Sequence, residues 1–253
     1  MSIHEDPWPE GTPSWVDLMV PDRHAARAFY GPLFGWEFVE GGPETGFYTT
    51  ATIGGRSVAG FAEPMPGAAS TPSTWTTYLA VDNDIVAVTG RARDAGAQVL
   101  FDPMTIMELG AMAVLVDPTG AVFGLWQPGS HTGADVVNEP GALIWNEIMT
   151  RDPVAAQTFY GAVFGFTFGD MSGPGFVYAT IDLDGRTVAG KTDLKSTSGG
   201  SFKKGKCKPP KNMGLDWIFA SKDIKTDAFV RDRNLMILRI TDHPVLYSTV
   251  HFK

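Results

Sequence analysis

The sequence predicts an α+β protein made of tandem βαβββ modules, in which the second module is incomplete and is followed by a foreign or diverged β-rich tail. The segment Asp22–Trp36 recurs 130 residues later as Asp152–Phe166, and a fixed period of this kind indicates an internal duplication. Helical segments alternate with groups of short strands, which favours an α+β architecture over a parallel sheet. The repeat stops after Gly190, which leaves the second copy shorter than the first.

The composition of the chain changes at the same residue. Residues 1–190 contain no lysine and have seven arginines against 22 acidic residues, a formal net charge of −15. Residues 191–253 contain all ten lysines and have a net charge of +7, so the whole chain has −8. We interpret this boundary as the end of the duplicated unit. The alternative is a basic surface on a second half that has diverged.

The first module, residues 14–127, is expected to contain the order βαβββ twice. The apolar and aromatic residues of Ser14–Val20 predict the first strand, Asp22 is a typical helix N-cap, and Gly35 ends the helix. The pair Gly54-Gly55 predicts a hairpin turn. Further elements are predicted in chain order as strands Glu37–Glu40, Phe47–Ile53, Ser57–Ala62 and Thr74–Val81, a helix Asp84–Ala97, and strands Gln98–Phe101, Thr105–Leu109, Ala111–Asp117 and Ala121–Gln127.

The remaining segments follow from composition and from the repeat. Residues 1–13 are expected to form an N-terminal arm, 128–141 a polar linker, and 142–190 the partial second module. Residues 191–211 are rich in Gly, Ser, Lys and Pro, and a flexible basic linker is expected there. The tail, residues 212–253, has strand-like runs at Leu215–Ala220, Leu235–Ile240 and Val245–Phe252.

Composition also excludes several classes of protein. No apolar run approaches the roughly 18–20 residues that a membrane helix needs, and the acidic, proline-rich start does not resemble a signal peptide, so we expect a cytoplasmic protein without a membrane partner. The single Cys207 excludes an internal disulfide. The lysines of the tail lie mainly in a Gly/Pro-rich segment without interleaved aromatic residues, so no nucleic-acid partner is expected.

Three motifs resemble the vicinal oxygen chelate superfamily, which includes glyoxalase I, bleomycin-resistance proteins and extradiol dioxygenases. They are the FY-x-x-x-FG[WF] helix ending, the Gly-Gly-Arg hairpin, and the DPTG turn at Asp117–Gly120. The two-module layout is most similar to glyoxalase-like proteins of actinobacteria. The resemblance covers about residues 12–190. It implies paired βαβββ modules that curl into a cup, with a ligand cavity on the concave face.

The resemblance also implies where metal ligands would lie. Metal-using members have a histidine or glutamine seven residues before the capping aspartate, which is Trp15 or Trp145 here, and a glutamate in the last strand of a module, which is Gly124 here. None of these side chains is a ligand for Zn²⁺, Ni²⁺ or Fe²⁺. We therefore predict no metal or other cofactor, although a divalent metal at other residues stays open.

The candidate ligand-binding residues lie on one face of the first strand of each module. Strand alternation and the repeat select Trp15, Asp17, Met19, Trp145, Glu147 and Met149. Pseudo-symmetry is expected to bring Asp17 and Glu147 into the cavity between aromatic walls. Two carboxylates in an apolar cup can share a proton and act as acid and base, or they can bind a cation or an amine. The alternative is that Arg56 and Arg186 neutralise them, or that they reach water.

We therefore predict a glyoxalase/bleomycin-resistance-like protein that binds a small aromatic or carbonyl compound, with Trp15 and Trp145 stacking on the ligand and Asp17 and Glu147 orienting it. Two alternatives stay open, a glyoxalase-like lyase or hydroxylase/dioxygenase-type enzyme and an inactive chimaeric product. Asp17 and Glu147 are the catalytic candidates under the first alternative. The edge strand of an incomplete second module would expose unpaired backbone groups, so a homodimer is plausible.

The tail has a resemblance of its own. The segments GLDWIFAS and ITDHPVLYSTVHF resemble the C-terminal end of the endonuclease/exonuclease/phosphatase family, in which an Asp-His pair serves the metal-dependent attack on phosphate. Asp242 and His243 match that pair. The other residues that such a site needs are absent, so we expect a vestigial pair and no working metallonuclease. The alternative is a drifted half-module, because Ile240–His251 can be aligned with Leu115–Trp126.

Overall fold

The computed structural model describes residues 3–64, 73–173, 177–193, 215–219, 236–240 and 243–247, and it describes side chains as far as Lys191. Within these ranges no helix has the length and apolar character needed to cross a membrane.

Between Pro13 and Pro128, the described residues form one eight-stranded sheet, two α-helices and a short 3-10 helix, Pro43–Thr45. The elements are β1 Pro13–Met19, α1 Arg23–Phe34, β2 Glu37–Glu40, β3 Thr49–Ile53, β4 Arg56–Ala62, β5 Thr74–Ala80, α2 Ile85–Asp94, β6 Gln98–Ile106, β7 Gly110–Val116 and β8 Val122–Pro128. The strand order is β2-β3-β4-β1-β5-β8-β7-β6. Because β1 and β5 lie side by side at the centre, two copies of the βαβββ order meet there, and the predicted α+β class is confirmed.

A second sheet of seven strands follows. Its elements are β9 Leu143–Thr150, α3 Pro153–Phe164, β10 Thr167–Asp170, β11 Tyr178–Leu183, β12 Arg186–Asp193, β13 Leu215–Phe219, β14 Met236–Ile240 and β15 His243–Tyr247, in the order β10-β11-β12-β9-β13-β15-β14. Strand β13 is antiparallel to β9, as β5 is to β1. However, β15 is antiparallel to β13, whereas β8 is parallel to β5. The second half of this sheet therefore has a different topology from the first sheet.

Two strand predictions differ from the structure. The predicted strands Gln98–Phe101 and Thr105–Leu109 are one strand, β6, because Asp102 and Pro103 lie in an irregular stretch between Phe101 and Met104 and do not form a turn. Strand β6 is at the edge of the sheet, where a proline without an N–H is tolerated.

The structure also bears on the boundary near Gly190. Strand β12 continues to Asp193, because it pairs with β11 as far as Thr192 and with β9 as far as Asp193. The expected linker therefore begins no earlier than residue 194, and its remainder lies outside the described residues. Asp242 also lies outside them, and His243 is the first residue of β15.

Helices α1 and α3 begin and end in the same way. The carboxylates of Asp22 and Asp152 accept hydrogen bonds from the backbone N–H groups of Ala25 and Ala155 at 2.9 and 3.1 Å, as expected of N-caps. Gly35 and Gly165 end the helices in the left-handed region, each at φ 71°. The duplicated sequence thus determines where both α1 and α3 begin and end.

Each sheet buries one face against helices. Val16 and Leu18 of β1 pack with Tyr30 of α1 in one core cluster, and a second cluster joins α2 and α3 across the two sheets. A third, smaller cluster contains Trp15, Tyr78 and Trp126, and it lies on the opposite face of the first sheet. That opposite face holds the candidate site residues of β1.

Candidate functional site

The candidate site lies at the centre of the first sheet. Strand alternation turns Val16 and Leu18 towards the helices, and Asp17 therefore faces the other side. Cross-strand register places Gly60 of β4 and Thr76 of β5 directly beside Asp17, and Thr50 of β3 beside Gly60. Residues directly opposite each other in neighbouring strands share a face. Asp17 thus lies in a row with two threonines on the helix-free face.

Two tyrosines hold the carboxylate of Asp17. The hydroxyl of Tyr78 donates to Asp17 Oδ2 at 3.1 Å, and the hydroxyl of Tyr48 approaches the same oxygen at 3.4 Å. Trp15 Nε1 donates to the Tyr48 hydroxyl at 2.9 Å, which orients that phenol towards the carboxylate. No described residue donates a hydrogen bond to Oδ1. One carboxylate oxygen is therefore occupied, while the other has no protein partner in the described part of the chain.

Burial changes the acidity of all three groups. It raises the pKa of Asp17 from 3.8 to about 7, and the hydrogen bonds from Tyr78 and Tyr48 only partly oppose this effect. The pKa values of Tyr48 and Tyr78 rise well above 10, first because of burial and then because of the charge of Asp17. Near neutral pH, Asp17 is thus divided between its two protonation states while both phenols keep their protons.

No described cationic side chain forms an ion pair with Asp17. Arg56, which was the candidate for neutralising it, pairs with Glu5 at 3.2 Å. The carboxylate therefore depends on hydrogen bonds alone.

Two glycines make room for the tyrosines. A Cβ atom on Gly60 would lie 1.8 Å from the Tyr48 hydroxyl oxygen, and one on Gly124 would lie 2.2 Å from Cδ1 of Tyr78. Contacts this short do not occur, so both rings lie where a side chain would otherwise stand. The Gly60 position repeats in the second sheet, where a Cβ on Gly190 would meet the Tyr178 hydroxyl at 2.1 Å.

The three positions at which the resemblance implies metal ligands do not fit a metal. Trp15 and Trp145 use their indole N–H groups as donors to Tyr48 and Tyr178, and the ring of Tyr78 fills the space beside Gly124. An indole N–H has no lone pair to offer. In the part of the chain that the structure describes, no group of three or more His, Cys, Asp or Glu is arranged to hold a metal ion.

The linker after β8 covers one side of the site. The His131 ring meets Trp15 edge-on, with centroids 4.5 Å apart, and its carbonyl accepts from Trp126 Nε1 at 2.8 Å. Burial lowers the pKa of His131 to about 4, against the smaller opposing effect of Asp135. Trp15 is consequently only 3% exposed, which leaves little of its ring surface open on the unbound protein.

The second sheet repeats part of this arrangement. Trp145 Nε1 donates to the Tyr178 hydroxyl at 3.1 Å, and burial together with the charge of Glu147 raises the pKa of Tyr178 to about 12. Glu147 is 1% exposed. The residue opposite Trp145 is Ile218, whereas Tyr78 is opposite Trp15, so the second cluster lacks the counterpart of one phenol.

The predicted residues thus belong to two clusters. Asp17 and Glu147 lie in different sheets, each near a tyrosine of its own sheet, and no described hydrogen bond joins them. Met19 is 40% exposed beside Asp17 at the end of β1, and Met149 is partly buried near the end of β9.

Four participating residues were not identified from the sequence: Tyr48, Tyr78, Tyr178 and His131. Tyr48 and Tyr178 are 130 residues apart, so the repeat period could have identified them. No comparable signal exists for Tyr78, since its counterpart in the second sheet is an isoleucine, or for His131, which lies in the linker.

Comparison with known proteins gives one family. A family model described as the Glyoxalase/Bleomycin resistance protein/Dioxygenase superfamily matches residues 12–125. CFP32 of Mycobacterium bovis, which is provisionally named a glyoxylase, is 46% identical over 167 residues, 64% of this chain and 63% of that protein. The chain therefore spans less than two thirds of that relative. DauV of Streptomyces sp. strain C5, named an anthracycline biosynthesis protein, is 36% identical over 200 residues, 74% of this chain and 72% of that protein.

Solved structures with the same fold are more distant. The Mn(II)-bound glyoxalase from Novosphingobium aromaticivorans aligns with a TM-score of 0.52 and 16% identity, over 72% of this chain and 62% of that chain. The 2,2',3-trihydroxybiphenyl 1,2-dioxygenase from Sphingomonas wittichii strain RW1 aligns with a TM-score of 0.52 and 12% identity, over 73% and 68%. At these identities the likeness concerns the fold alone.

Proposed function

This chain belongs to the Glyoxalase/Bleomycin resistance protein/Dioxygenase superfamily, and from that premise we propose that it binds a small aromatic or carbonyl compound at Asp17, with no metal at Trp15, Gly124 or Trp145. The ligand would lie on the helix-free face of the first sheet. Trp15 would act by orienting Tyr48 rather than by broad stacking, because it is already covered. The Trp145, Glu147 and Met149 cluster would form a second, separate subsite.

The observation that supports this proposal most strongly is the asymmetry of the Asp17 carboxylate. Two phenols engage Oδ2, whereas Oδ1 has no partner among the described residues. Asp17 is partly exposed, and Oδ1 is not one of the enclosed side-chain oxygens that lack a partner, so it is accessible to a ligand or to water. With a pKa of about 7, Oδ1 can donate to a carbonyl oxygen below neutral pH and can accept from a hydroxyl or an amine above it.

We also propose that strands β1–β8 form one module and strands β9–β15 the other, with the tail strands β13, β15 and β14 extending the second sheet. Under this proposal the tail serves the fold. Asp242 and His243 receive no role, because a metallonuclease site needs ligands from several distant loops.

Asp17→Asn is expected to weaken binding of a small aromatic carbonyl compound, such as 4-hydroxybenzaldehyde, by about tenfold or more, or about 1.4 kcal/mol. The amide keeps an acceptor for the two phenols, but its N–H is a weaker donor to a carbonyl than the acidic O–H of a protonated carboxyl. Titration calorimetry at about pH 6, where the acid form of Asp17 predominates, measures the difference.

The matched control is Glu5→Gln, which removes one exposed carboxylate that pairs with Arg56 and forms no bond with Asp17. It should leave the affinity unchanged. Equal affinities for wild type and Asp17→Asn would remove Asp17 from the site. Repeating both titrations in EDTA tests the proposal that no metal takes part in binding. Loss of binding on chelation would contradict that proposal.

A second candidate function is enzymatic, and the raised pKa of Asp17 favours it. A carboxyl with a pKa near 7 can both donate and accept a proton at neutral pH, and a lyase that acts on a carbonyl compound needs such a group. If the chain turns over such a compound, kcat/KM is expected to follow one ionisation near pH 7, and Asp17→Asn should remove that ionisation. A rate profile that is flat from about pH 5 to 9 would exclude Asp17 as the acid–base group.

A further inference from the structure

We propose that the natural ligand of the Asp17 site is an organic cation, an arylalkylamine in its protonated form, whose ammonium group binds Asp17 Oδ1. This inference rests on the proposed function, since it names the ligand class for the same site. Three independent features of the first sheet support it, namely charge, the aromatic surroundings and the neighbouring hydroxyls.

The charge around the site favours a cation. The other described arginines near this sheet are paired with carboxylates other than Asp17: Arg23 with Glu63 at 2.7 Å, Arg27 with Glu40 at 2.9 Å, Arg91 with Glu10 at 2.5 Å, and Arg93 with Asp102 at 3.1 Å. Residues 1–190 have a formal net charge of −15 and no lysine, and the whole chain has −8. A surface with a large charge of one sign attracts ligands of the opposite sign and raises their local concentration.

A half-buried carboxylate without a cationic partner is costly for the fold. Moving a charge out of water costs free energy. That cost is offset only when an opposite charge or a full set of hydrogen bonds replaces the water. Asp17 has phenol donors on one oxygen only. An ammonium group at Oδ1 would supply both the missing donor and the missing positive charge, which neither an anion nor a neutral carbonyl can do.

The side chains around Asp17 suit the two parts of such a ligand. Three aromatic side chains, Trp15, Tyr48 and Tyr78, lie beside the carboxylate, and aromatic rings attract cations through their quadrupole. Trp15 and Tyr78 are covered, so Tyr48 is the ring that a bound cation can contact. Tyr48 is half-buried, so part of its surface is open to a ligand. The hydroxyl of Thr76, in the strand directly beside Asp17, accepts no hydrogen bond from described residues, so it can take another N–H group of a primary ammonium.

The test compares three probes of nearly the same shape: benzylammonium, benzyl alcohol and benzoate. Titration calorimetry at about pH 8 and low salt keeps Asp17 mostly ionised and an alkylammonium protonated. Benzylammonium is expected to bind at least tenfold more tightly than benzyl alcohol, and benzoate not at all. Asp17→Asn should abolish the preference for the cation, and Glu5→Gln, which removes the same charge from an exposed side chain, should keep it.

The outcomes separate this inference from the proposed function. If wild type binds benzyl alcohol as tightly as benzylammonium and Asp17→Asn weakens both, the ligand binds at Asp17 as proposed, but the proposal of a cationic ligand is wrong. If benzylammonium binds equally to wild type and Asp17→Asn, both the inference and the site are wrong. Failure of benzylammonium to bind at millimolar concentration overturns the inference, whatever the other probes do. Thermal unfolding of both variants shows whether each is folded.

Discussion

Asp17→Asn is expected to stabilise the protein at about pH 8 by roughly 2–4 kcal/mol. Burial raises the pKa of Asp17 from 3.8 to about 7, so the ionised carboxylate is disfavoured in the folded state relative to the unfolded chain. Each pKa unit corresponds to about 1.4 kcal/mol, which sets an upper limit of about 4 kcal/mol. Asparagine keeps the oxygen that accepts from Tyr48 and Tyr78, but it has no charge to bury.

The stability difference between Asp17→Asn and wild type should increase steadily as the pH rises. A group whose pKa is raised on folding contributes its stability fully below the unfolded value, here 3.8, and loses it as the pH rises to the folded value of about 7. The difference between the two proteins should therefore be small at pH 4 and reach its full size at pH 8. Urea unfolding of both proteins across this range measures it, and a variant less stable than wild type at pH 8 would contradict it.

The wild-type profile alone would hide this effect. Burial lowers the pKa of His131 from 6.5 to about 4, so the contribution of this histidine to the stability of the folded protein is lost as the pH falls through that range. Asp17 changes stability in the opposite sense over nearly the same interval. The two contributions offset each other in wild type. The difference between Asp17→Asn and wild type at each pH isolates the carboxyl, because His131 contributes equally to both.

Gly124→Ala is expected to destabilise the protein by about 1–3 kcal/mol or more, as overpacking of a well-packed core does. A Cβ at this position would lie 2.2–2.7 Å from Cδ1, Cε1 and Cγ of Tyr78. Because Cγ is close to the backbone, the ring cannot swing away without leaving its buried site, where Tyr78 is 6% exposed. Its hydrogen bond to Asp17 would be lost as well.

The matched control for that substitution is Gly90→Ala in helix α2. Nothing lies within 4 Å of a Cβ at Gly90, so alanine there should be neutral or stabilising by about 0.5–1 kcal/mol. Thermal and urea unfolding compare the three proteins. Wild-type stability of Gly124→Ala would show that the Tyr78 ring does not occupy this space. Gly124→Glu should not create a metal site, because the same ring blocks the side chain.

The repeat predicted the framework of the fold better than its details. Strand alternation and the 130-residue period correctly located β1, α1, β9 and α3, because N-caps, glycine ends and buried faces are local properties. The single strand β6 was predicted as two strands, because a proline is tolerated within a strand only at a sheet edge and the sequence does not show which strands lie at the edge. The reversed direction of β15 depends on pairing between distant segments and has no local signal.

The site was predicted only in part for the same physical reason. Alternation was sufficient to select Asp17, since a strand has only two faces. Its partners come from elsewhere: Tyr78 is 61 residues away along the chain, and Tyr48 is 31 residues away. Sequence spacing does not encode which residues meet across a sheet, so the phenols, and with them the raised pKa of Asp17, became visible only in three dimensions.

The most direct measurement is a carbon-detected NMR titration of the Asp17 side-chain carboxyl between about pH 3 and 9, with Asp17→Asn used to assign its signal. We expect a midpoint near pH 7, because the carboxyl is buried between two phenols without a cationic partner. Added benzylammonium should lower that midpoint. A midpoint near 4 in the free protein would show that Asp17 is fully solvated, which would contradict the enclosed carboxylate on which the site and its ligand depend.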